Sequence, residues 1–282
     1  MLADFVLHRR GGAVIWLARK YAEQGFLDRL IDADILFADP SCQLIKDQRK
    51  IKVGRVVVEV DGKPQGIFIK RYNMFSWRHR LVSVASQSGA FRALRGAKML
   101  SDAAIDTARP VAAIAHRRGG FLTKSFYLTE ELTGGRTVDA YWREFLRPLT
   151  GREGQARRRE FLLRLGQLFH QLHERGVYHN DLKDANILAL RDTADGGLRL
   201  YLLDLEGVRH YSRLSANRKL KNLVQINRTL GKLLNRCEHL IFLKAYLDRS
   251  FRDRTLRRRV FDTVERRSRR LDRTKGLTTM NS

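Results

Sequence analysis

Acidic side chains are scarce in this sequence: 30 Asp and Glu stand against 55 Lys and Arg, leaving a formal charge of +25 over 282 residues. An excess of that size implies a polyanionic partner, whether nucleic acid, an anionic membrane surface or a phosphorylated substrate. Cysteine is scarcer still. Cys42 and Cys237 are far apart and belong to no CxxC or His/Cys cluster, which excludes a disulfide framework and a structural zinc site and fits a reducing cytoplasm. Long hydrophobic runs are missing as well. The apolar stretch AVIWLA near the N-terminus is too short for the core of a signal peptide, no small-residue cleavage site follows it, and no segment reaches transmembrane length. The expectation is a protein that is soluble or lies on a membrane without crossing it. Internal repeats and low-complexity linkers are also lacking. The arginine-rich C-terminal stretch has no interleaved series of aromatics for stacking bases, so specific nucleic-acid binding is not expected.

What is present is a folded chain, 43% hydrophobic and long enough for one large domain or two lobes. Residues 13–37 mix apolar and charged positions at near-helical spacing, which predicts two short helices with a break at Gly25, and an N-terminal helical extension over 1–42. From about 43 the pattern turns to β-like runs. RVVVEVDGKPQGIFIKRY reads as a hairpin turning at Asp61-Gly62 and ending at Lys70. A helix follows over 88–103, then a strand pair from Pro110, VAAIAH and GFLTKSFYLTEEL. After Gly134-Gly135 the chain reads helical. Phe161, Leu162, Leu165, Leu168, Phe169 and Leu172 share one face of a long helix that Gly176 stops. NILAL and LRLYLLDLEG flank the turn-rich RDTADGG, and 212–273 is helical and crowded with arginine. These readings give an α+β protein with a β-rich lobe over 43–133, a helical lobe over 134–250 carrying both functional loops, and a basic C-terminal helix or tail over 251–282.

One short stretch carries the chemistry. YHNDLKDANIL sets Asp181, Lys183 and Asn186 in a loop between a long helix and a strand. Moving a phosphoryl group needs metal ions to neutralise phosphate charge, a lysine to hold the phosphates and a carboxylate near the acceptor hydroxyl. The parts occur in that order. Lys70 ends a strand, Asp181 and Asn186 share the loop, and Asp204 closes the hairpin behind it. Each has a plainer reading: Asp181 as a turn cap, Lys70 as a strand-end lysine, Lys183 as one exposed lysine among many. The register of Asp181, Asn186 and Asp204 is what outweighs those readings.

Taken together, these residues resemble the protein-kinase-like superfamily. His179-Asn-Asp181-Leu-Lys183-Asp-Ala-Asn186 is similar to its catalytic loop, Asp204-Leu-Glu-Gly207 to its metal loop, and Ile-Phe-Ile-Lys70 to its nucleotide-lysine strand. FYLTEEL, 126–132, resembles the strand and hinge whose backbone meets adenine, which marks Glu130 and Leu132. Within the superfamily the chain most resembles the bacterial lipopolysaccharide core kinases, which phosphorylate Kdo or heptose on lipid A–core. The stretches that carry this likeness are GIFIKRYN, FRALRGAKMLSDAAIDTARPVAAI, SFYLTEEL, HNDLKDANIL and NRKLKNLVQINRTLGKL. The likeness covers about residues 45–235. It implies a two-lobed kinase fold and an ATP- and Mg²⁺-dependent transfer. Asp181 would be the base and Lys183 would offset charge on the moving phosphoryl, while Lys70 would hold the α/β-phosphates and Asn186 and Asp204 the metal. His179 would brace the loop. It also implies the lipopolysaccharide core as acceptor and a place on the cytoplasmic face of the inner membrane.

The departures from that pattern are specific. No GxGxxG precedes Lys70; the turn that would cover the phosphates, KDQRKIKVGR, is basic instead. The helix over 88–103 has no glutamate to pair with Lys70, and Asp102 is its only acid, so the sequence assigns no residue to orient Lys70. Asn180 stands where many protein kinases carry arginine, and Glu206 interrupts the metal loop while leaving Asp204 and Gly207 in place. Only about ten residues separate Gly207 from Asn217, with no A-P-E, which favours a sugar acceptor over a docked protein. The alternatives are an atypical Ser/Thr protein kinase and a degenerate kinase fold that binds polyanions as a scaffold. His170 and His173 lie at i and i+3 on an apolar face, a spacing read as core packing rather than metal ligation. Leu256, Val260, Phe261 and Val264 among the arginines form a basic amphipathic helix suited to an anionic membrane or to lipopolysaccharide.

Overall fold

The computed structural model describes residues 2–60, 62–73, 87–192, 196–274 and 276. The described residues form two compact units, one from Met1–Ser101, Thr107–Thr133 and Asp204–Gly207, the other from Asp102–Asp106, Gly134–Leu203 and Val208–Ser282. The first is built on a sheet and the second mainly on helices, the α+β mixture that the sequence predicts.

In the first unit, β1 (Phe5–Arg10), β2 (Ala13–Ala18), β3 (Gln43–Asp47), β4 (Ile51–Val60), β5 (Lys63–Asn73), β6 (Pro110–Arg118) and β7 (Phe121–Glu130) make one antiparallel sheet in the order β1-β2-β6-β7-β5-β4-β3. Two short helices, α1 (Gln24–Ile31) and α2 (Ile35–Ala38), add to the apolar side, and α3 (Gly89–Asp102) is a longer helix. Ile15, Leu17, Leu30, Leu36, Ile67, Ile69, Phe126 and Leu128 are fully buried in a single cluster. Each such side chain contributes roughly 1.5–3 kcal/mol of burial.

The helical reading of the N-terminus is corrected here. Residues 13–18 are a strand, and only 24–31 and 35–38 of the supposed helical extension are α-helix. Ala13, Ile15 and Leu17 are buried while Val14, Trp16 and Ala18 are half-buried, an alternation with period two that six residues display too briefly to separate from a helix. Gly11 and Gly12, at φ +55° and +76°, form the tight turn to β1. A pair of consecutive glycines is the hairpin signal that decides the matter. Gly25 does not break a helix but lies inside α1.

The β4–β5 hairpin pairs Val60 with Lys63, in the expected register, although Asp61 lies outside the described residues. The strand pair after Pro110 is β6–β7.

In the second unit, α4 (Val138–Tyr141) runs into a π-turn at Trp142–Leu146, and α5 (Gly151–Glu174) is the long helix, with Gly176 at φ +66° just beyond its end. Phe161, Leu162, Leu165, Leu168, Phe169 and Leu172 are all buried on one face of α5. Tyr141 stacks on Phe161 at 5.8 Å, and Phe169 meets Phe242 edge-on at 5.5 Å. β8 (Arg136–Thr137), β10 (Ile187–Arg191) and β11 (Leu198–Leu202) form a small sheet, and β9 (Val177–His179) pairs with β12 (Val208–His210). Part of the RDTADGG connection, 193–195, lies outside the described residues. The chain then runs through α6 (Ala216–Asn227), α7 (Arg236–Leu247) and α8 (Arg254–Thr274). Among the described residues no helix is long and apolar enough to cross a membrane.

One grouping differs from the expected lobes. Asp204–Gly207 belongs to the first unit and not to the 134–250 segment. Its contacts explain this. Asp204 is ion-paired to Lys70, and the backbone of Leu205 lies against α3 at Gly96.

Candidate active site

The loop around Asp181 and the pair of Lys70 and Asp204 are held by different means. In the second unit β9 ends at His179 and β10 begins at Ile187, so the loop between them is pinned by strands at both ends. Asp181, Lys183 and Asn186 come together there. Lys183 Nζ lies 2.8 Å from Asp181 Oδ2. Asn186 Nδ2 donates to the Asp181 carbonyl at 2.7 Å and to its Oδ2 at 3.1 Å. With Nδ2 occupied in this way, Oδ1 is the amide atom that could face a cation. Asp181 is half-exposed, reachable by an acceptor, while Asn186 is buried.

His179 braces the loop. The Asp181 N–H donates to its Nδ1 at 3.2 Å, which leaves Nε2 as the donor to the Leu203 carbonyl at 2.9 Å. The ring is buried, and both of its nitrogens meet backbone groups. Behind the loop, α6 supplies residues that the sequence did not single out. Asn222 is fully buried and donates from Nδ2 to the His179 carbonyl at 2.6 Å and to Gln225 Oε1 at 2.9 Å. Gln225 in turn accepts from the Leu182 N–H and donates to the Asn180 carbonyl. Thr229 accepts from the Asp184 N–H at 3.4 Å, and burial holds the Asp184 carboxyl above the usual carboxylate range.

His173 on α5 extends the same network. Its Nδ1 meets Tyr246 Oη at 3.0 Å and its Nε2 meets Asn222 Oδ1 at 3.4 Å. Burial pushes its pKa down to about 4, so the ring is neutral at physiological pH. His170 bonds the Tyr246 carbonyl through Nδ1 at 2.9 Å. Both imidazoles therefore serve the packing of α5 on α7.

In the first unit Lys70 lies on β5, opposite Val53 of β4 and Tyr127 of β7. Its Nζ is 2.6 Å from Asp204 Oδ1 and 4.9 Å from the ring centre of Tyr72. The Tyr72 phenol is held well above its ordinary pKa by burial first, then by the carboxylates of Glu206 and Asp204. Asp204 has φ +58°, the left-handed region that Asp tolerates better than most residues and that recurs at functional loops.

Glu130 ends β7 and Leu132 follows it, half-buried. The Glu130 carboxylate accepts from Tyr21 Oη at 2.9 Å and Lys20 Nζ at 3.1 Å, and its N–H donates to the Arg109 carbonyl. What Glu130 could present to a base is thus its carbonyl oxygen. The Tyr21 phenol is raised by burial and by that carboxylate. The basic turn between β3 and β4 is closed by paired bonds between Gln48 and Ile51, with Arg49 and Lys50 exposed at its tip.

The two sets offer different chemistry. Lys70 and Asp204 are a cation and a carboxylate suited to phosphates and a hard metal ion, and Asn186 offers a neutral oxygen. Carboxylate and amide oxygens of this kind are the hard ligands that Mg²⁺ takes. Among the described residues no group of three or more His, Cys, Asp or Glu could hold a metal ion.

The sequence model of the "Lipopolysaccharide kinase (Kdo/WaaP) family" matches residues 49–246. The 3-deoxy-D-manno-octulosonic acid kinase of Pasteurella multocida (strain Pm70) is 25% identical over 154 residues, 55% of this chain and 58% of that protein. The chain thus spans somewhat over half the length of that curated relative. Among solved structures, WaaP in complex with acyl carrier protein superposes with a TM-score of 0.60 at 22% identity, covering 88% of this chain and 97% of that one. At that identity the likeness establishes the fold.

Proposed function

Because the chain belongs to the lipopolysaccharide kinase (Kdo/WaaP) family, we propose that it transfers the γ-phosphoryl of ATP to a hydroxyl of an inner-core sugar, Kdo or heptose. The observation that carries this reading is the Asp181 carboxylate, half-exposed yet fixed by Lys183 and Asn186 within a loop braced by His179. Asp181 orients the sugar hydroxyl and accepts its proton as the oxygen–phosphorus bond forms and the bond to the β-phosphate oxygen breaks, releasing ADP. Such a base typically contributes 10²–10⁴-fold in rate, a rough range. Lys183 offsets charge on the phosphoryl as it moves. Lys70 binds the α/β-phosphates, and Glu130 and Leu132 flank the base through their backbones. Asp204 and Asn186 would hold Mg²⁺, which when bound neutralises charge on the phosphate oxygens.

The acceptor is read as a sugar because the chain after the metal loop is short. β12 follows Gly207 directly, and α6 opens at Ala216, capped by Ser215. A protein substrate would need an ordered docking segment there. The exposed arginines of α8, among them Arg258, Arg266, Arg269, Arg270 and Arg273, suit the phosphates and carboxylates of lipid A–core and an anionic inner-membrane surface, at about 1 kcal/mol per cation. The protein acts as a peripheral enzyme on the cytoplasmic face.

The test is Mg²⁺-dependent transfer from γ-labelled ATP to purified lipid A–core lacking core phosphate, comparing wild type with Asp181→Ala and Asp204→Ala. Label in the saccharide that vanishes in both variants is expected, and the position of the new phosphate names the sugar. ATP binding without saccharide labelling would transfer the reading to a protein acceptor, and no ATP binding would leave a scaffold.

A further inference from the structure

Kinase-like sites usually keep the nucleotide lysine in place with a carboxylate on the neighbouring helix. Helix α3 lacks one: through GAFRALRGAKMLS its charged residues are all basic, and its acid, Asp102, is its last residue. The metal loop carries the charge that the helix lacks. Glu206 Oε2 lies 3.6 Å from Arg92 Nη2, so α3 and the loop are joined by an ion pair of reversed polarity, arginine on the helix and glutamate on the loop.

Three further observations place this pair in the phosphate-binding half of the site. Helix and loop are in direct contact, since a Cβ built on Gly96 would sit 2.3 Å from the Leu205 carbonyl oxygen. Side-chain bulk at that position would push the loop away. Tyr72, whose ring Lys70 overlies, is influenced by the charges of both Glu206 and Asp204. Arg92 is itself anchored, donating from Nη1 to the Gln87 carbonyl at 2.7 Å.

We propose that Glu206 is a positioning residue: paired with Arg92, it locks the metal loop to α3 and so holds Asp204 in its left-handed conformation, oriented for Mg²⁺ and for Lys70. The pair does from the loop what a helix glutamate does elsewhere. It acts through the backbone at 204–206 and touches neither phosphate nor acceptor.

This inference rests on the phosphotransferase reading, and the experiment keeps the two apart. ATP affinity is measured by calorimetry across a Mg²⁺ titration for wild type, Asp204→Asn, Glu206→Gln, Arg92→Met, the double Glu206→Gln/Arg92→Met and the conservative Arg92→Lys. Thermal melts confirm that each variant is folded. The expected result is that Glu206→Gln and Arg92→Met each raise the Mg²⁺ concentration needed for ATP binding about fivefold, the size of a partly exposed ion pair. The double variant should be no worse than either single, and Arg92→Lys should recover most of the loss. Unchanged Mg²⁺ midpoints in Glu206→Gln and Arg92→Met, with Asp204→Asn abolishing the Mg²⁺ dependence, would overturn the role of Glu206 and leave the phosphotransferase reading intact. No Mg²⁺-dependent ATP binding by wild type would overturn that reading itself. Should Glu206→Gln fail to fold, Gly96→Ala, which displaces the same loop, must raise the Mg²⁺ midpoint in its place or the proposal fails.

Discussion

The loop around Asp181 and the pair formed by Lys70 and Asp204 are built in opposite ways. Asp181 stands on a backbone tied down at almost every residue: His179 takes its N–H, Gln225 takes that of Leu182, Thr229 takes that of Asp184, and Asn222 holds the His179 carbonyl. These bonds join largely neutral groups and are partly buried, the one from Asn222 fully so. Lys70 and Asp204 are instead held by a direct ion pair between partly exposed groups, with a second, longer pair between Arg92 and Glu206 behind it. A neutral scaffold is rigid because unmaking one of its bonds buries an unpaired group, whereas a solvent-accessible ion pair can exchange partners at little cost. On the proposed reading, the acceptor side is positioned by its framework, and the phosphate side by charges that could pass from each other to a nucleotide and its metal.

The largest effects should separate the two sides. Asp181→Ala is expected to lower transfer by about 10²–10⁴-fold while leaving MgATP affinity near that of wild type. Asp204→Ala should remove the Mg²⁺ dependence of ATP binding as well as transfer. Parallel calorimetry and labelled-phosphate assays check both, and loss of MgATP binding in Asp181→Ala would erase the division drawn here.

How much of this could be read from the sequence follows the same divide. The order of Asp181, Asn186 and Asp204 is legible because each sits beside a strand end or in a short loop, where residue type and local spacing determine position, whereas Lys70, expected to end its strand, lies inside β5, which runs on to Asn73. Strands β4 to β7, helix α3 and the apolar face of α5 are legible for the same reason. Asn222 and Gln225 were not, since they act on residues 43 to 45 positions away and nothing in α6 distinguishes a polar side chain that faces a loop from one that faces solvent. The pairing of Arg92 with Glu206 was visible only as two anomalies, a helix without an acid and a metal loop with an extra one. Strand β2 is ambiguous in the sequence because six apolar residues suit either period, and only the Gly11-Gly12 turn resolves them.

His173 provides the next test of the neutral scaffold. Its folded pKa is lowered to about 4 by burial, against 6.5 in an unstructured chain. Above pH 6.5 the ring is neutral in both states and contributes no pH dependence. As pH falls from about 6.5 toward about 4 the unfolded chain takes up a proton that the folded ring resists, so stability declines, by up to about 3 kcal/mol. Chemical denaturation of wild type and His173→Gln at pH 7 and at pH 5 should show the wild type losing more between the two. Equal losses would place the titration elsewhere.

Asn222→Leu probes the bond nearest the catalytic backbone. It leaves the buried His179 carbonyl without its donor, which should cost about 1–3 kcal/mol of stability. Because that carbonyl precedes the Asp181 loop, the damage should fall on kcat and spare the KM for ATP. A rise in KM at constant kcat would mean that α6 supports the phosphate side instead.

The smallest expected effect lies at the far end of β7. Tyr21 and Lys20 both grip the Glu130 carboxylate, so Tyr21→Phe removes one of two bonds and leaves the ion pair. A single neutral donor to a charged acceptor is worth roughly 1.5–3 kcal/mol, less here because Lys20 remains and Glu130 is not sealed from water. If the base is met by backbone groups, ATP affinity should change less than about threefold, within the 1.4 kcal/mol that corresponds to tenfold, while the melting temperature falls by a few degrees. A loss of tenfold or more in ATP affinity at an unchanged melting temperature would show that the Glu130 side chain itself reaches the nucleotide. The phosphate side would then possess a scaffold of its own, and the contrast between the two halves would narrow to the Lys70–Asp204 pair.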